Sequence, residues 1–281
     1  MMFRQQLQHE LVKLFARKRT YIGFGAFAAL QVLILLLLQL PKAKQAFTKL
    51  LSTNGYLPED YYAGLTLAML IIEFTIFLMG ALYLALVAGD VVAKEVEDGT
   101  MRMVLARPVS RVRLLATKWL ACALYTGVLM VFLGLTSMAA GVIYRGRLGQ
   151  LFVFVPHENV FGVFPTADGV VRYAAAIGLL AVTMQVITAL AFMFSCFRMK
   201  PAAATILTLT VMFTDFVLRN VPYFQSFQKY FITYHTSSWL RIYHDVIPWW
   251  SIGESIVYLM ALGATFWIIG AMAFCSRDFK S

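Results

Sequence analysis

Charge is what this sequence has least of. Only 14% of its 281 residues are Asp, Glu, Lys or Arg, against the usual quarter in soluble domains, while 60% are hydrophobic. That balance excludes an ordinary soluble or disordered chain and leaves an integral membrane protein. Acidic residues are scarcest, 14 against 24 Lys and Arg, for a net charge of +10. Cysteine is nearly absent: Cys122, Cys196 and Cys275 all fall inside apolar runs. They exclude an extracellular disulfide framework and read as small apolar side chains. No Gly-Lys dipeptide occurs, which removes a Walker A loop and with it that way of binding a nucleotide. His9-Glu10 and His157-Glu158 lack the second His of a zincin helix, and no Gly-x-Ser-x-Gly elbow is present.

What the chain does have is long apolar runs. Six are long enough to cross about 30 Å of hydrocarbon: Tyr21 to Leu40, Tyr62 to Gly89, Leu114 to Ile143, Val171 to Phe197, Pro201 to Leu218 and Ile252 to Cys275. The fourth and fifth are separated only by Arg198-Met199-Lys200 before a helix-starting Pro201, which predicts a tight hairpin. The fold class is therefore an all-α integral membrane protein, one domain over residues 1–281, with 20–281 forming a six-helix bundle. Ahead of it, Phe3, Leu7, Leu11 and Leu14 form one apolar stripe on a basic segment. Residues 1–19 are thus expected as an amphipathic helix lying in the interface. No small-residue cleavage site closes the first run, so that run is expected to serve as its own targeting signal.

Basic residues set the expected orientation. Of the 24 Lys and Arg, 15 lie in the N-terminal segment, the connection between runs two and three with the helix start that follows it, the Arg198-Met199-Lys200 turn, and the tail. The positive-inside bias puts those segments, and both termini, in the cytoplasm. The net charge then reads as topology and contact with anionic lipid, with no nucleic-acid partner.

One connection is out of character. Residues 93–120, AKEVEDGTMRMVLARPVSRVRLLATKWL, crowd charge, a Gly and a Pro between two apolar runs. Gly99 breaks the preceding helix and Thr100 is placed to cap a new one, on which Met101, Val104 and Leu105 share a face opposite Arg102. Pro108 ends that helix and Ser110 is placed to cap the next. On these residues alone, a helix that docks on a protein partner and a solvated loop resting on lipid both remain open, as do a non-transporting scaffold and an intramembrane enzyme.

The pattern Glu95-x-Glu97-x-Gly99-Thr100, then Pro108-Val109-Ser110-Arg111 and Lys118, resembles the signature of ABC-2 type permeases, the membrane subunits of ABC exporters. The likeness extends over the chain, to an Arg277-Asp278 ending after the last run. It implies a coupling helix that sits in a cleft of a separate cytoplasmic ATP-binding subunit. ATP and Mg would be bound there and none by this chain. It also implies pairing with a second copy or a related permease, in the plasma (inner) membrane of a prokaryote. The residues it assigns to coupling are Glu95, Glu97, Gly99, Thr100, Met101, Val104, Leu105, Pro108, Ser110 and Arg111, with Met101, Val104 and Leu105 docking.

Carboxylates inside a bilayer are costly and are functional candidates. Glu73, Asp215 and Glu254 all lie toward the outer side and are candidates for a substrate pathway, although Asp215 is also placed to reach Arg219 one turn on and Glu254 to sit among headgroups. Met193, Cys196 and Met199 recur every three residues, a thioether and thiol set that suits Cu(I), but such spacing is ordinary in an apolar helix and no metal is assigned. The aromatic-rich stretch 219–250 is expected as short helices in the outer interface, and 144–172 as a small hairpin around Leu151-Phe-Val-Phe-Val155.

Overall fold

Backbone crossing hydrocarbon must satisfy its own hydrogen bonds, and this chain does so with helices. The computed structural model describes residues 2–53, 62–105, 110–158 and 160–277. In order they form α1 (Met2–Phe15), α2 (Lys18–Leu38), α3 (Pro41–Thr53), α4 (Gly64–Thr75), a π-helical turn (Ile76–Gly80), α5 (Ala81–Glu97), α6 (Thr100–Leu105) and α7 (Arg111–Arg145). The hairpin β1 (Leu151–Val155) and β2 (Val160–Phe164) follows, then α8 (Thr166–Thr183), α9 (Gln185–Ser195), α10 (Pro201–Asn220), α11 (Ile232–Thr236) and α12 (Trp249–Cys275). Among the described residues six helical stretches are long and apolar enough to cross a membrane: α2, Gly64–Glu97, α7, Thr166–Ser195, α10 and α12. They are the expected spans with shifted ends, and the protein is a multi-pass membrane protein.

The fourth span holds the centre. Its second half, α9, packs on α5, α10 and α12, while α4 packs along α7. The span breaks at Met184, and the Gln185 side-chain amide donates to the Ala181 carbonyl at 3.2 Å and to Ala123 at 3.1 Å, satisfying backbone that the break releases. Hydroxyl pairs join neighbouring spans: Tyr83 with Tyr125 at 2.9 Å, Thr126 with Thr188 at 2.8 Å, Ser137 with Tyr173 at 2.6 Å. In lipid the alternative to such a pair is an unsatisfied polar group, so these contacts fix how the spans meet.

Several connections differ from expectation. Residues 41–53 form the helix α3, which the composition of that connection had not suggested. The α1 stripe does not simply rest on lipid: Leu14 is buried and Leu7 and Leu11 pack on the core, with α1 lying against α7. The expected hairpin is present, with Val153 opposite Gly162, and Thr66 anchors it by accepting from the Phe152 amide at 3.0 Å. In the 219–250 stretch, the turns over Pro222–Tyr230 bury none of their side chains, as an interfacial belt would, but Ser237–Tyr243 buries Trp239 and Tyr243 against α8 and β2. That part is core, not belt. In α11 just before it, burial together with the nearby Arg241 holds the His235 pKa below its usual range while its ring stacks on Tyr258 at 4.1 Å.

Close packing of α4 on α7 depends on two glycines. A β-carbon on Gly64 would lie 2.6 Å from the Arg147 carbonyl oxygen, and one on Gly141 would collide with the Gly64 carbonyl. Backbone cannot yield as a flexible side chain does. Gly141→Ala is expected to cost roughly 1–3 kcal/mol and to lower the thermal midpoint of the purified protein. Gly127→Ala on the same helix, with nothing within 4 Å of its new methyl, should leave the midpoint unchanged or raised.

Candidate functional site

The charged connection begins inside the second span. Asp90 and Glu95 are both buried there, and a buried carboxylate stays ionised only if it is paired. Arg19, at the start of α2, pairs with Asp90. Glu95 takes Lys13 from α1 and, at 2.7 Å, Lys118 from α7. Lys118 is only 1% exposed, and its ammonium is fully used: besides Glu95 it donates to both oxygens of Glu10, at 3.0 and 3.1 Å. Two lysines and two glutamates cancel in charge and bind α1, the second span and the third span into one body.

From that anchor the chain turns at Gly99, whose φ of 72° is the left-handed region that glycine enters without penalty. Thr100 does not cap α6 as its position suggested. It is already the first helical residue, and its hydroxyl donates back to the Glu95 carbonyl at 3.2 Å. Met101 is the second correction. It is 1% exposed within the core, so it is not available to a partner, whereas Met103, two residues and roughly 200° further round the helix, is 67% exposed. Val104 packs partly against the core. Pro108 and the side chain of Leu105 lie outside the described residues.

The start of α7 is anchored too. Ser110 caps α7 by accepting from the Arg113 amide at 3.4 Å, as expected. Arg111, assigned above to partner contact, instead donates at 2.9 Å to the carbonyls of Cys275 and Arg277, tying the third span to the end of the sixth. Cationic donors at a helix C-terminus satisfy its orphan carbonyls and suit its dipole. Of the motif, Glu95, Thr100, Met101 and Arg111 therefore face the protein itself. Glu97, Gly99 and Met103 face out.

The carboxylate candidates scatter over the opposite half of the bundle. Glu73 is half-buried one residue before Phe74-Thr75 and the π-helical turn, a distortion that recurs at functional sites. Glu158 and the Tyr243 hydroxyl lie within electrostatic reach of it. Asp215 does not pair with Arg219. It accepts from the amides of Ile232 at 2.9 Å and Thr233 at 2.7 Å and so caps α11, while Arg219 pairs with Glu158 and donates to the Thr233 carbonyl. Glu254 is exposed in the first turns of α12, where headgroups would lie. Met193 and Cys196 are buried against Gly270 of α12, a packing role, and no group of three or more His, Cys, Asp or Glu fit to hold a metal occurs among the described residues.

Glu10, Lys13, Asp90 and Lys118 were not singled out as site residues from the sequence. The sequence did offer Lys118, the last residue of the signature quoted above and a lone cation in the apolar face of Ala116-Thr-Lys-Trp-Leu-Ala-Cys122. Removing it alone leaves Glu10 without its ion pair and Glu95 with Lys13 alone among the described residues. Lys118→Met should cost about 3 kcal/mol or more, and Lys118→Met with Glu95→Met should cost less than the single change. Thermal denaturation of the purified variants reads both; a double variant no better than the single would sink the pairing argument.

Comparison with known proteins gives the family. The model of the ABC-2 family transporter protein matches residues 8–259. The chain is also similar to the uncharacterized protein YhcI of Bacillus subtilis strain 168, 26% identical over 116 residues that make up 39% of this chain and 36% of that protein. The chain thus matches about a third of that relative's length. With the match running from α1 well into the sixth span, the chain belongs to the ABC-2 family of transporter membrane proteins.

Proposed function

We propose that this chain is the permease subunit of an ATP-driven exporter, working as a pair with a second copy or a related permease, each seated on a separate cytoplasmic ATP-binding subunit that binds ATP and Mg. The observation that carries the reading is the placement of α6. A short helix with an exposed apolar Met103 is clamped at its entrance by Glu95, Lys13 and Lys118 and just beyond its exit by Arg111. A helix seated on anchored neighbours passes a push to them instead of absorbing it. Here those neighbours are α1 and spans two, three and six. ATP binding by the partner would then bias a two-state rearrangement of the spans. The end bearing α1, α6 and the Arg198-Met199-Lys200 turn is cytoplasmic in this reading, which the distribution of basic residues supports.

Met103→Asp tests both the docking and the orientation. It places a charge in a desolvated contact without touching a packed side chain, so membrane levels and thermal stability should stay near wild type. Co-purification of the ATP-binding subunit should fall at least tenfold, with loss of ATP-dependent export. Retention of the partner by the variant would remove α6 from the interface.

On the same reading Glu73 lines the export pathway from the outer half of the second span. Its half-buried carboxylate beside a π-helical turn supports this. Glu73→Gln keeps shape and removes charge, so the complex should assemble normally while substrate-stimulated ATPase activity changes several-fold. An unaltered substrate response in reconstituted vesicles would return Glu73 to a structural role.

A further inference from the structure

At the end of the bundle that carries the charged connection, a groove of about 470 Å³ opens between the start of the first span, the end of the second and the start of the fifth. Arg19, Lys94 and Lys200 line it, together with the apolar side chains of Leu86 and Ile206. Arg19 is neutralised by Asp90. Among the described residues no ion pair engages Lys94 or Lys200. The floor adds a further positive element: α10 begins there with Pro201 at its first turn and no side-chain cap, so the positive end of a 20-residue helix is left to an anion. One carboxylate opposes this, Glu97, which is exposed at the water-facing rim one turn beyond Lys94.

The walls say which anion. Leu86 and Ile206 belong to helices long and apolar enough to cross a membrane, and Ile206 is 62% exposed on α10. A charged floor at headgroup depth that continues into an apolar wall along two spans fits a molecule with a phosphate head and an acyl tail. A soluble phosphate would leave that wall unused, and a cytoplasmic protein cannot follow it into the bilayer.

We propose that this groove binds the phosphate headgroup of an anionic phospholipid, with Lys94 and Lys200 on the phosphate, the α10 N-terminus beneath it and the first acyl carbons against Leu86 and Ile206. The site ties lipid to the segment immediately preceding α6, since Lys94 neighbours Glu95. The inference rests on the orientation proposed above only for the choice of leaflet. It stands without an ATP-binding partner.

The test uses the full chain, purified and delipidated in mild detergent, incubated with phosphatidylglycerol or phosphatidylcholine and read by native mass spectrometry. Wild type should retain phosphatidylglycerol over phosphatidylcholine. Lys94→Gln with Lys200→Gln should lower that retention roughly tenfold or more, Lys94→Arg with Lys200→Arg should keep it, and Glu97→Gln should raise it. Lys44→Gln with Lys49→Gln, on α3 and away from the groove, should change nothing. Equal retention of the two lipids, or full retention by the double Gln variant, overturns the proposal. So does displacement of the lipid by millimolar inorganic phosphate, which would assign the groove to a free anion. A double Gln variant that keeps its lipid but loses a second copy of the chain, or an ATP-binding subunit, would make the groove a protein interface instead. Because the assay needs no ATPase, its failure is separate from failure of the exporter reading.

Discussion

A buried ammonium is the constraint around which this end of the protein is built. Lys118 sits in the third span with 1% of its surface exposed, and burying it unpaired would cost several kcal/mol. Its three donors consume Glu10 and Glu95, and Glu95 in turn takes Lys13. Nothing in such a cluster is gained over well-packed leucines in bare stability. What it supplies is registry: α1 cannot slide along α7, nor the second span along the third, without stranding a charge. The α6 segment hangs from that fixed point through the Thr100 hydroxyl and the buried Met101.

The opposite half of the bundle uses arginine for the same purpose with weaker means. Arg172 bridges Asp168 to the carbonyls of Ile242 and His244, with its guanidinium 4.1 Å over the Phe164 ring, and Arg219 joins Glu158 to the Thr233 carbonyl of α11. A planar fork with five donors suits the loose carbonyls of short turns, which a lysine would satisfy one at a time. These connections are thereby drawn down onto α8 and the hairpin, which is why Trp239 and Tyr243 are core residues despite lying in a loop between spans.

How much of this was legible depends on the range of the interaction. The spans, the Gly99 break, the Ser110 cap and the short helix between them follow from local patterns of apolar length and capping chemistry, and the structure contains each of them. The hairpin around Leu151–Val155 was readable for the same reason. What failed was facing. Met101 and Val104 share a helical stripe in the sequence, but a stripe does not say which side of the chain is already covered by the chain itself. Asp215 and Arg219 are one turn apart, yet each found a better partner at longer range in Ile232, Thr233 and Glu158. Glu10, Lys13 and Lys118 are 108, 82 and 23 residues from the groups they meet, and no periodicity carries that information. The helix α3 was missed because its polar, lysine-rich composition looks like a connection.

The third span is longer than a bilayer needs. At 35 residues α7 runs about 52 Å against about 30 Å of hydrocarbon, and Arg111 and Lys118 are anchored toward one end of it. A rigid rod of that length pivoting near its middle is a lever. A tilt of about 5° at the pivot displaces each end by about 2 Å, more than a hydrogen bond tolerates. Small rotations inside the membrane and ångström-scale steps at the charged end are therefore the same movement read at two radii, and the stiffness of one uninterrupted helix sets the exchange rate between them.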